Sequence, residues 1–309
     1  MSKPILRLPP PSDLPPLRRS LLAWHRRHGL RAPWRSSGDP YLVMVAAVMA
    51  QQTQISRVLQ KFGEFITAFP TVETLAKAST ARVLRMWEGM GYNLRGLRLH
   101  RAAKRIVRQG GFPRRAAELV EIEGIGPFTA AIITSFAFGE PVAAIDVNVR
   151  RVLIRLLTGE SEARLSDRAL QPAADHLISR RAPGRWNQAM MDLGARVCKP
   201  RAPQCNVGPL ATWCRARPRF ESRSAPRRVA EAKASYRAQA PFRGSRRYYR
   251  GRIVQALREL PPRTGIAPAE LLARLAGGGL DEAQLHELIE ALRRDGLLRI
   301  DAKGRLRLP

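Results

Sequence analysis

The sequence contains few cysteines, no long apolar run and no recognisable export signal. Three cysteines in 309 residues are too few for the disulfide framework of a secreted domain, which favours a reducing compartment. The longest nearly continuous apolar run, Tyr41 to Ala50, has ten residues, about half the length that a helix needs to cross a bilayer. The N-terminal segment combines six prolines with no apolar core, unlike an export signal. We therefore expect a cytoplasmic protein that is not inserted in a membrane.

Acidic residues are scarce relative to basic ones. The chain has 25 Asp and Glu against 54 Lys and Arg, of which 47 are Arg, and its formal net charge is +29. Such a surplus predicts a polyanionic partner, because every phosphate that a protein neutralises releases counterions. The alternative is a compositional effect of a GC-rich genome, which encodes Arg often. No Lys- and Arg-rich helix with an aromatic face is evident, so we expect nucleic acid, and association with the nucleoid, rather than a membrane surface.

Convincing strand patterns are absent from most of the chain. Apolar residues make up 45% of the sequence, which is enough for a hydrophobic core. From Leu17 to about Ala195 they recur at helical spacing. One such helical face comprises Tyr92, Gly96, Leu99, Ala103 and Ile106. The body of the protein is therefore predicted to be all-α.

The ends of the chain differ in composition from this body. Residues 1–16 are rich in proline and are predicted to form a tail. After Cys214 the chain becomes strongly basic, with 13 basic residues and two acidic ones between Arg215 and Arg252. Because Ser, Pro and Gly are interleaved with these charges, residues 215–245 are predicted to be a linker.

Residues 246–309 show a second pattern, of helices followed by a hairpin. Three apolar helical stretches are predicted, and the last opens with a capping box at Asp281 and Gln284. Alternating apolar residues on either side of a turn then predict a hairpin, at Leu298, Ile300, Leu306 and Leu308. Three helices and a hairpin are typical of a winged helix, a variant of the helix-turn-helix. We expect this winged-helix-like module to contact DNA, and the alternative is a module that only packs.

A glycine hairpin is the first candidate binding feature. Two glycines bracket one apolar residue at Gly124-Ile125-Gly126, directly before a stretch, Thr129 to Phe138, that is predicted to be helical. Such a hairpin exposes backbone N–H groups at a helix N-terminus, which favours a phosphate over a base as the ligand. An ordinary turn is the alternative. Further along, Asp146 stands between apolar neighbours at a predicted helix start, which is typical of an N-cap.

The hairpin and Asp146 occur together with further segments that match one family in order and in spacing. The segments are Ala32-Pro33-Trp34-Arg35, Asp39-Pro40-Tyr41, Val48-Met49-Ala50-Gln51-Gln52-Thr53-Gln54, Gly89-Met90-Gly91-Tyr92-Asn93 and Asn187-Gln188-Ala189-Met190-Met191-Asp192-Leu193-Gly194-Ala195. Over residues 17–214 the chain resembles the helix-hairpin-helix DNA glycosylase superfamily, and within it the adenine DNA glycosylase (MutY-type) branch. The resemblance implies a two-lobed all-α domain that flips a purine out of the DNA stack into a pocket, because the glycosidic bond is unreachable inside the duplex.

The resemblance also implies roles for pocket residues. Asp146 corresponds to the carboxylate that stabilises the oxocarbenium-like sugar as the base leaves. Asn148 and Arg35 correspond to residues that line the pocket, and Phe128 stands where this branch often has Tyr or Ser. Ala47 stands where the family has the Glu that acts as general acid on adenine, and such an acid contributes about 10²–10⁴-fold. The chain thus keeps the residue that stabilises the cation and lacks the acid.

The same resemblance implies a set of DNA-binding residues. Two glutamines and one tyrosine correspond to residues that fill or wedge the base stack, and two glycines to the hairpin that binds phosphate. They are Gln51, Gln52, Tyr92, Gly124 and Gly126. The alternatives from the residues alone are a satisfied polar helix face for the glutamines and a core aromatic for Tyr92.

The cysteines fall in one loop, residues 198–214. The iron–sulfur ligands of the family follow the pattern Cys-x6-Cys-x2-Cys-x5-Cys, and Cys198, Cys205 and Cys214 match three of the four positions. Gly208 stands at the remaining one. The resemblance therefore implies a [4Fe–4S] cluster held by three thiolates, with one iron open. The alternative is a degenerate loop with free thiols.

Three functions remain open from the sequence. The first is an adenine DNA glycosylase of base-excision repair, a hydrolase of N-glycosyl bonds that removes A opposite 8-oxoguanine or G. The second is a glycosylase that uses Asp146 alone on alkylated purines, whose cationic rings leave without an acid. The third is a non-catalytic DNA-binding descendant. In each case we expect a monomer whose partner is duplex DNA with a damaged or mispaired base. The domain with which the family checks for 8-oxoguanine does not fit into residues 246–309.

Overall fold

A computed structural model describes residues 5–160, 165–221, 242–275 and 279–309. The helices in these ranges are α1 (Leu14–His28), α2 (Pro33–Ser36), α3 (Pro40–Ala50), α4 (Ile55–Ala68), α5 (Val72–Lys77), α6 (Thr80–Met86), α7 (Leu94–Arg108), α8 (Ala116–Leu119), α9 (Pro127–Ile133), α10 (Val147–Thr158), α11 (Asp167–Leu177), α12 (Pro183–Arg196), α13 (Arg217–Glu221), α14 (Arg246–Glu259), α15 (Pro268–Leu275) and α16 (Glu282–Arg294). Two short antiparallel strands, β1 (Arg299–Ile300) and β2 (Leu306–Arg307), form the only sheet in the described ranges. The predicted all-α class is confirmed.

The chain divides into two compact units, which matches the predicted two-lobed architecture. The first unit comprises Met1–Met44, Pro113–Glu121 and Ile125–Ser235. The second unit comprises Val45–Phe112, Ile122–Gly124 and Tyr236–Pro309. Both units are discontinuous in sequence, because the chain leaves each one and returns to it.

The core of the first unit is built from α1, α10, α11 and α12. Their fully buried side chains include Leu17, Leu21, Leu157, Leu177 and Trp186. Local signals explain where these helices begin and end. For example, α10 begins after the N-cap Asp146 and ends at Gly159, which has a φ of 77° that favours glycine. The burial of one apolar face of each helix stabilises the unit.

The core of the second unit joins α6 and α7 to the C-terminal helices. Leu84 of α6 and Leu97 of α7 belong to the same buried cluster as Ile253, Leu257 and Leu292. Polar contacts reinforce this packing. The Arg258 guanidinium donates to the Leu84 carbonyl at 2.9 Å, and the backbone N–H of Ala81 donates to the Pro309 carbonyl at 2.9 Å. Residues 246–309 therefore share one core with α6 and α7.

The C-terminal elements agree with the sequence analysis. Helices α14, α15 and α16 precede the β1–β2 hairpin, in the order expected of a winged helix. At the start of α16, the Asp281 side chain accepts from the Gln284 backbone and the Gln284 side chain from the Asp281 backbone, so the predicted capping box is present. The predicted linker falls mainly on residues 222–241, which lie outside the described residues. Its early part contains the short helix α13.

Three local expectations need correction. Tyr92 is not on the face of α7, because that helix begins at Leu94 and Tyr92 has a φ of 43° and is 52% exposed. The helix predicted from Thr129 begins earlier, at Pro127, and its last part, Thr134–Phe138, is a π-helix. At the N-terminus, α1 begins at Leu14, inside the predicted proline-rich tail.

None of the described helices is both long and apolar enough to cross a membrane.

Candidate functional site

Asp146 is a half-buried carboxylate that is fixed at the N-terminus of α10. Its Oδ1 accepts from the backbone N–H groups of Asn148 at 2.9 Å and Val149 at 2.7 Å. Its Oδ2 accepts from Nδ2 of Asn148 at 3.2 Å. The predicted N-cap is therefore present, and it holds the carboxylate in one orientation. The amide of Asn148, the predicted pocket residue, is in contact with Asp146.

Arg151 orients Asn148 and was not identified from the sequence. Its Nη2 donates to Oδ1 of Asn148 at 2.9 Å and to the Gly194 carbonyl at 2.7 Å, and its Nε donates to the Cys198 carbonyl at 2.7 Å. Burial is the main cause that lowers the pKa of Arg151. A continuous set of hydrogen bonds thus runs from the first cysteine of the loop to Asp146. The sequence could have indicated this contact, because Arg151 follows Asn148 by three residues, about one turn of α10.

Close packing of α12 against α10 supports the same arrangement. A Cβ atom on Gly194 would lie 2.8 Å from the Cβ of Asn148. Only glycine therefore allows the backbone of α12 to approach Asn148 this closely. The close contact between α12 and α10 therefore explains why a glycine stands at position 194 in the segment at residues 187–195 that resembles the family.

Arg35 is engaged by a buried carboxylate of the first unit. Its Nη1 donates to Oδ2 of Asp192 at 2.8 Å and its Nη2 to Oδ1 at 3.0 Å, which is a bidentate pair between α2 and α12. The backbone N–H of Leu30 donates to the same carboxylate at 2.8 Å. Burial alone raises the pKa of Asp192, but hydrogen bonds from His25 and Arg35 and the charge of Arg35 hold it well below its usual range. The role of Arg35 in lining a pocket stays a prediction, and its observed contacts position α2.

The glycine hairpin has the expected local geometry. In the second unit, Gly124 has a φ of 92°, and a Cβ atom on it would lie 2.8 Å from the Cβ of Arg98. Glycine is required there for both reasons. In the first unit, Gly126 is the N-cap of α9, and Phe128 is the second residue of that helix and is half-buried.

Two exposed side chains of the second unit have a left-handed backbone. Gln52, after α3, has a φ of 53°, and Tyr92, before α7, has a φ of 43°. Such conformations are costly for residues other than glycine and occur often at functional sites. Gln51 is half-buried beside Gln52, and Ala47, on α3, is 8% exposed.

One buried arginine, Arg95, holds both of these loops. Its guanidinium donates to the carbonyls of Val48 at 3.1 Å and Met90 at 2.7 Å, to the Gln51 carbonyl, and to Oγ1 of Thr53 at 3.0 Å. Burial is the main cause that lowers the pKa of Arg95. Sequence reasoning missed Arg95 because the chain contains many arginines and nothing local marks this one as buried.

The three cysteines line one mainly apolar cavity of the first unit. Cys198, Cys205, Cys214 and Gly208 all face this cavity, and Nη1 of Arg155 lies 3.4 Å from Sγ of Cys198. Burial raises the pKa of both the Cys205 and the Cys214 thiols, and the neighbouring cysteines add to the effect. In the described ranges no group of three His, Cys, Asp or Glu residues is placed to hold a single metal ion. Three thiols thus line one cavity with a guanidinium nearby, and Gly208 supplies no fourth ligand.

If a cluster is bound at the three cysteines, Gly208→Cys is expected to increase the iron content of the purified protein. A Cβ atom on Gly208 would lie 3.2 Å from the Cys205 carbonyl oxygen and 3.5 Å from Cγ1 of Val197, so a cysteine fits after a small shift. A fourth thiolate would close the open iron and raise the thermal midpoint as well. Iron analysis and the visible absorbance spectrum measure the effect. Gly208→Ala is the matched control, because it adds the same Cβ atom without a thiol. Iron absent from both variants would contradict the cluster.

Comparison with known proteins identifies the family. Residues 45–173 match the family described as "HhH-GPD superfamily base excision DNA repair protein". The adenine DNA glycosylase of Mycobacterium tuberculosis is 36% identical over 318 residues, which cover 98% of this chain and 97% of that protein. The chain belongs to the adenine DNA glycosylase family.

Some relatives of the family, such as the human protein, are longer than this chain. The human adenine DNA glycosylase is 36% identical over 223 residues, which cover 68% of the chain but only 41% of the human protein. The chain thus spans less than half the length of that relative.

Two solved structures share the fold. A thermostable thymine-DNA glycosylase aligns with a TM-score of 0.62 at 23% identity, covering 67% of this chain and 98% of that one. A non-covalent endonuclease III–DNA complex aligns with a TM-score of 0.57 at 21% identity, covering 68% and 99%.

Proposed function

We propose that the protein is a DNA N-glycosylase of base-excision repair that removes adenine opposite 8-oxoguanine or G. The observation that carries this proposal is the fixed Asp146 carboxylate, which Asn148 and Arg151 hold in one orientation. Family membership supports adenine as the base. The substrate is duplex DNA, the protein acts as a monomer, and the enzyme works in the cytoplasm at the nucleoid.

The chemistry requires charge stabilisation at the sugar. When the bond between C1′ and the base breaks, its electron pair leaves with the base and the sugar develops positive charge. A fixed carboxylate at Asp146 stabilises that charge until water adds to C1′ and loses a proton. Asn148 keeps the carboxylate aimed, since its amide donates to Oδ2. The leaving adenine needs a proton, and Ala47 has no group that can supply it.

The lack of an acid favours a second candidate function. Alkylated purines carry a positive charge on the ring and leave without being protonated. Ala47 and the bare ring of Phe128 suit such a substrate, because neither donates a hydrogen bond.

A third candidate is a DNA-binding protein that has lost catalysis. Asp146 is not needed in that case.

Base release from defined duplexes separates these candidates. With adenine opposite 8-oxoguanine, adenine opposite G, and 7-methylguanine as substrates, single-turnover release of free base is measured for the wild type. We expect slow release of adenine, because the cation is stabilised and the acid is absent. Asp146→Asn is expected to abolish it, since the amide is similar in shape and carries no charge. Preferential release of 7-methylguanine would assign the second candidate. No release from any duplex, with binding retained, would contradict both enzymatic functions.

The proposed DNA contact is made by the loops that carry Gln52 and Tyr92 in the second unit and by the glycine hairpin at residues 124–126. Gln52 and Tyr92 are exposed, as suits side chains that enter a base stack, and Arg95 holds the backbone next to each of them. Gln51 is proposed to contact the DNA beside Gln52. Gly124 and Gly126 allow backbone N–H groups to approach a phosphate.

Within the C-terminal module, charge favours the β1–β2 hairpin over α16 as the DNA-contacting element. Helix α16 and its N-cap contain four carboxylates, at Asp281, Glu282, Glu287 and Glu290. Glu287 and Glu290 are paired with Arg246 and Arg293, so Asp281 and Glu282 at the start of α16 are the groups that would repel a phosphate. The hairpin instead presents exposed basic side chains, at Arg299, Lys303 and Arg305. A DNA contact by this module is therefore assigned to the hairpin.

The [4Fe–4S] cluster is proposed as a structural cofactor held by Cys198, Cys205 and Cys214. When bound, it would tie three separate points of the loop together through iron–thiolate bonds. The carbonyl of Cys198 accepts from Arg151, so an ordered loop also steadies the contacts of Arg151 with Asn148.

A further inference from the structure

Helix α7 presents a row of arginines on one exposed side of the second unit. The four members are spaced by three, four and three residues, which places them on the same face of the helix. All four are exposed, whereas Leu99, Ala103 and Ile106 on the other side are buried. We call Arg98, Arg101, Arg105 and Arg108 the α7 arginine row.

The charge of this row is mostly uncompensated. Arg101 donates to Oε1 of Glu123 at 2.9 Å. Arg98, Arg105 and Arg108 have no carboxylate within ion-pair distance in the part of the chain that the structure describes. Helix α7 contains six basic residues and no acidic one. The charge of three members of the row is therefore available to an external anion.

The row begins at the glycine hairpin. The backbone of Gly124 packs against the Cβ of Arg98, and Glu123 pairs with Arg101. Two successive members of the row are thus anchored to the loop whose backbone N–H groups are assigned to a phosphate. The remaining members, Arg105 and Arg108, continue along α7 away from these contacts.

The row also borders the C-terminal module. A Cβ atom on Gly296 would lie 3.2 Å from Nη2 of Arg101 and 3.5 Å from Cδ2 of Leu97. Gly296 follows directly after α16 and shortly before β1. Arg101 therefore lies between Glu123, next to the glycine hairpin, and Gly296, just after the end of α16.

We propose that the α7 arginine row binds the phosphodiester backbone of duplex DNA beside the phosphate held by the hairpin. From Arg98 to Arg108 the helix rises about 15 Å, at about 1.5 Å per residue. A DNA strand rises about 3.4 Å per nucleotide, so the row matches a few successive phosphates. Guanidinium groups bind phosphates through paired hydrogen bonds. The inference rests on the proposed function, whose partner is duplex DNA, and adds a second contact surface to it.

The double variant Arg105→Ala with Arg108→Ala tests this surface. Neither residue belongs to the site around Asp146 or to the loops around Gln52 and Tyr92, and alanine favours a helix. Binding of the 309-residue protein to an undamaged duplex is measured from low to high salt. We expect the slope of log K against log salt to become shallower by about 1.8, because each lost phosphate contact contributes about 0.9. Circular dichroism and the thermal midpoint confirm that the variant is folded.

A matched double variant on the first unit is the control. Arg19 and Arg26 are exposed on α1 and also lack an ion-pair partner in the described ranges. Replacing both with alanine removes the same total charge as the variant on α7. A smaller change of slope in this control supports a specific surface on α7. Equal changes in both variants would mean that net charge alone sets the affinity, and would overturn the proposal.

The outcome is independent of catalysis. The salt dependence is measured on undamaged DNA, so it does not require base release. If the proposed glycosylase function fails, no variant releases a base, but the two slopes still differ. If the arginine row has no role, base release is retained and the slope of the Arg105 and Arg108 variant equals that of the wild type.

Discussion

Ala47→Glu is expected to raise the single-turnover rate of adenine release by about 100-fold or more. The family has a Glu at this position as general acid, and adenine is a poor leaving group until it is protonated. The variant would combine a proton donor with the carboxylate of Asp146, whose orientation is already fixed by Asn148. Release from a duplex with adenine opposite 8-oxoguanine measures the effect.

Two controls assign the gain to acid catalysis. Ala47→Gln has nearly the same shape as the Glu variant but cannot donate a proton as an acid does, so it is expected to release adenine at the wild-type rate. Asp146→Asn in the Ala47→Glu background is expected to remove the gain, because protonating the base helps little when the sugar cation is unsupported. An equal gain from Ala47→Gln would show that the added side chain acts by filling space.

Phe128 is the residue most able to prevent this gain. Its half-buried ring stands where the family often has a hydroxyl-bearing side chain, and it donates no hydrogen bond. Adding Phe128→Tyr to Ala47→Glu tests whether the ring limits the reaction. If neither variant releases adenine while DNA binding is intact, the pocket does not accept adenine, and the binding-protein interpretation is favoured.

Asp192→Asn is expected to lower the free energy of unfolding by about 3–5 kcal/mol, which is typical when one partner of a buried ion pair is removed. The carboxylate receives the bidentate guanidinium of Arg35 and the backbone N–H of Leu30. In the variant, the buried charge of Arg35 loses its partner. Chemical denaturation at neutral pH measures the loss.

Asp175→Asn is the matched control on the same unit. Oδ1 of Asp175 accepts from the backbone N–H of Ala143 at 2.7 Å and from Nε2 of Gln171 at 3.0 Å, and both of these donors are neutral. Its replacement is expected to cost no more than about 1 kcal/mol, because the side-chain carbonyl oxygen of Asn can still accept from both donors. Similar losses for both variants would contradict a special contribution of the Arg35 pair.

The same pair predicts an acid-sensitive component of stability. The pKa of Asp192 is lower in the folded state than in the unfolded chain. Its contribution is therefore fully present above the unfolded pKa of about 3.9 and is lost as the pH falls below that value. The wild type should lose stability faster than Asp192→Asn on acidification from about pH 4. Parallel curves for the two proteins would contradict this account.

The sequence predicted features that depend on short-range patterns. Apolar spacing placed the helices, a capping box placed the start of α16, and the N-cap pattern placed Asp146 at the start of α10. Each of these signals lies within a few residues, where backbone hydrogen bonding and helical periodicity decide the structure.

Features that depend on burial or on distant partners could not be predicted in this way. Arg95 and Arg151 look like any other arginine of a basic chain, and only the fold shows that Arg95 is buried and Arg151 half-buried among carbonyl groups. The pairing of Arg35 with Asp192 joins residues that are 157 positions apart. Tyr92 fits the apolar spacing of α7 but lies before its start, because periodicity carries no information about a left-handed backbone.

The shared core of the second unit has a consequence for how the protein is made. During synthesis, α6 and α7 leave the ribosome long before the helices that cover Leu84 and Leu97. Until α14 and α16 emerge, these side chains remain open to water or to other chains, and such surfaces promote aggregation. The nascent second unit therefore has to wait until residues 246–309 have been synthesised, and a premature stop codon after residue 245 would leave a chain that cannot complete its fold. Early termination should thus produce insoluble protein rather than a shorter DNA-binding one.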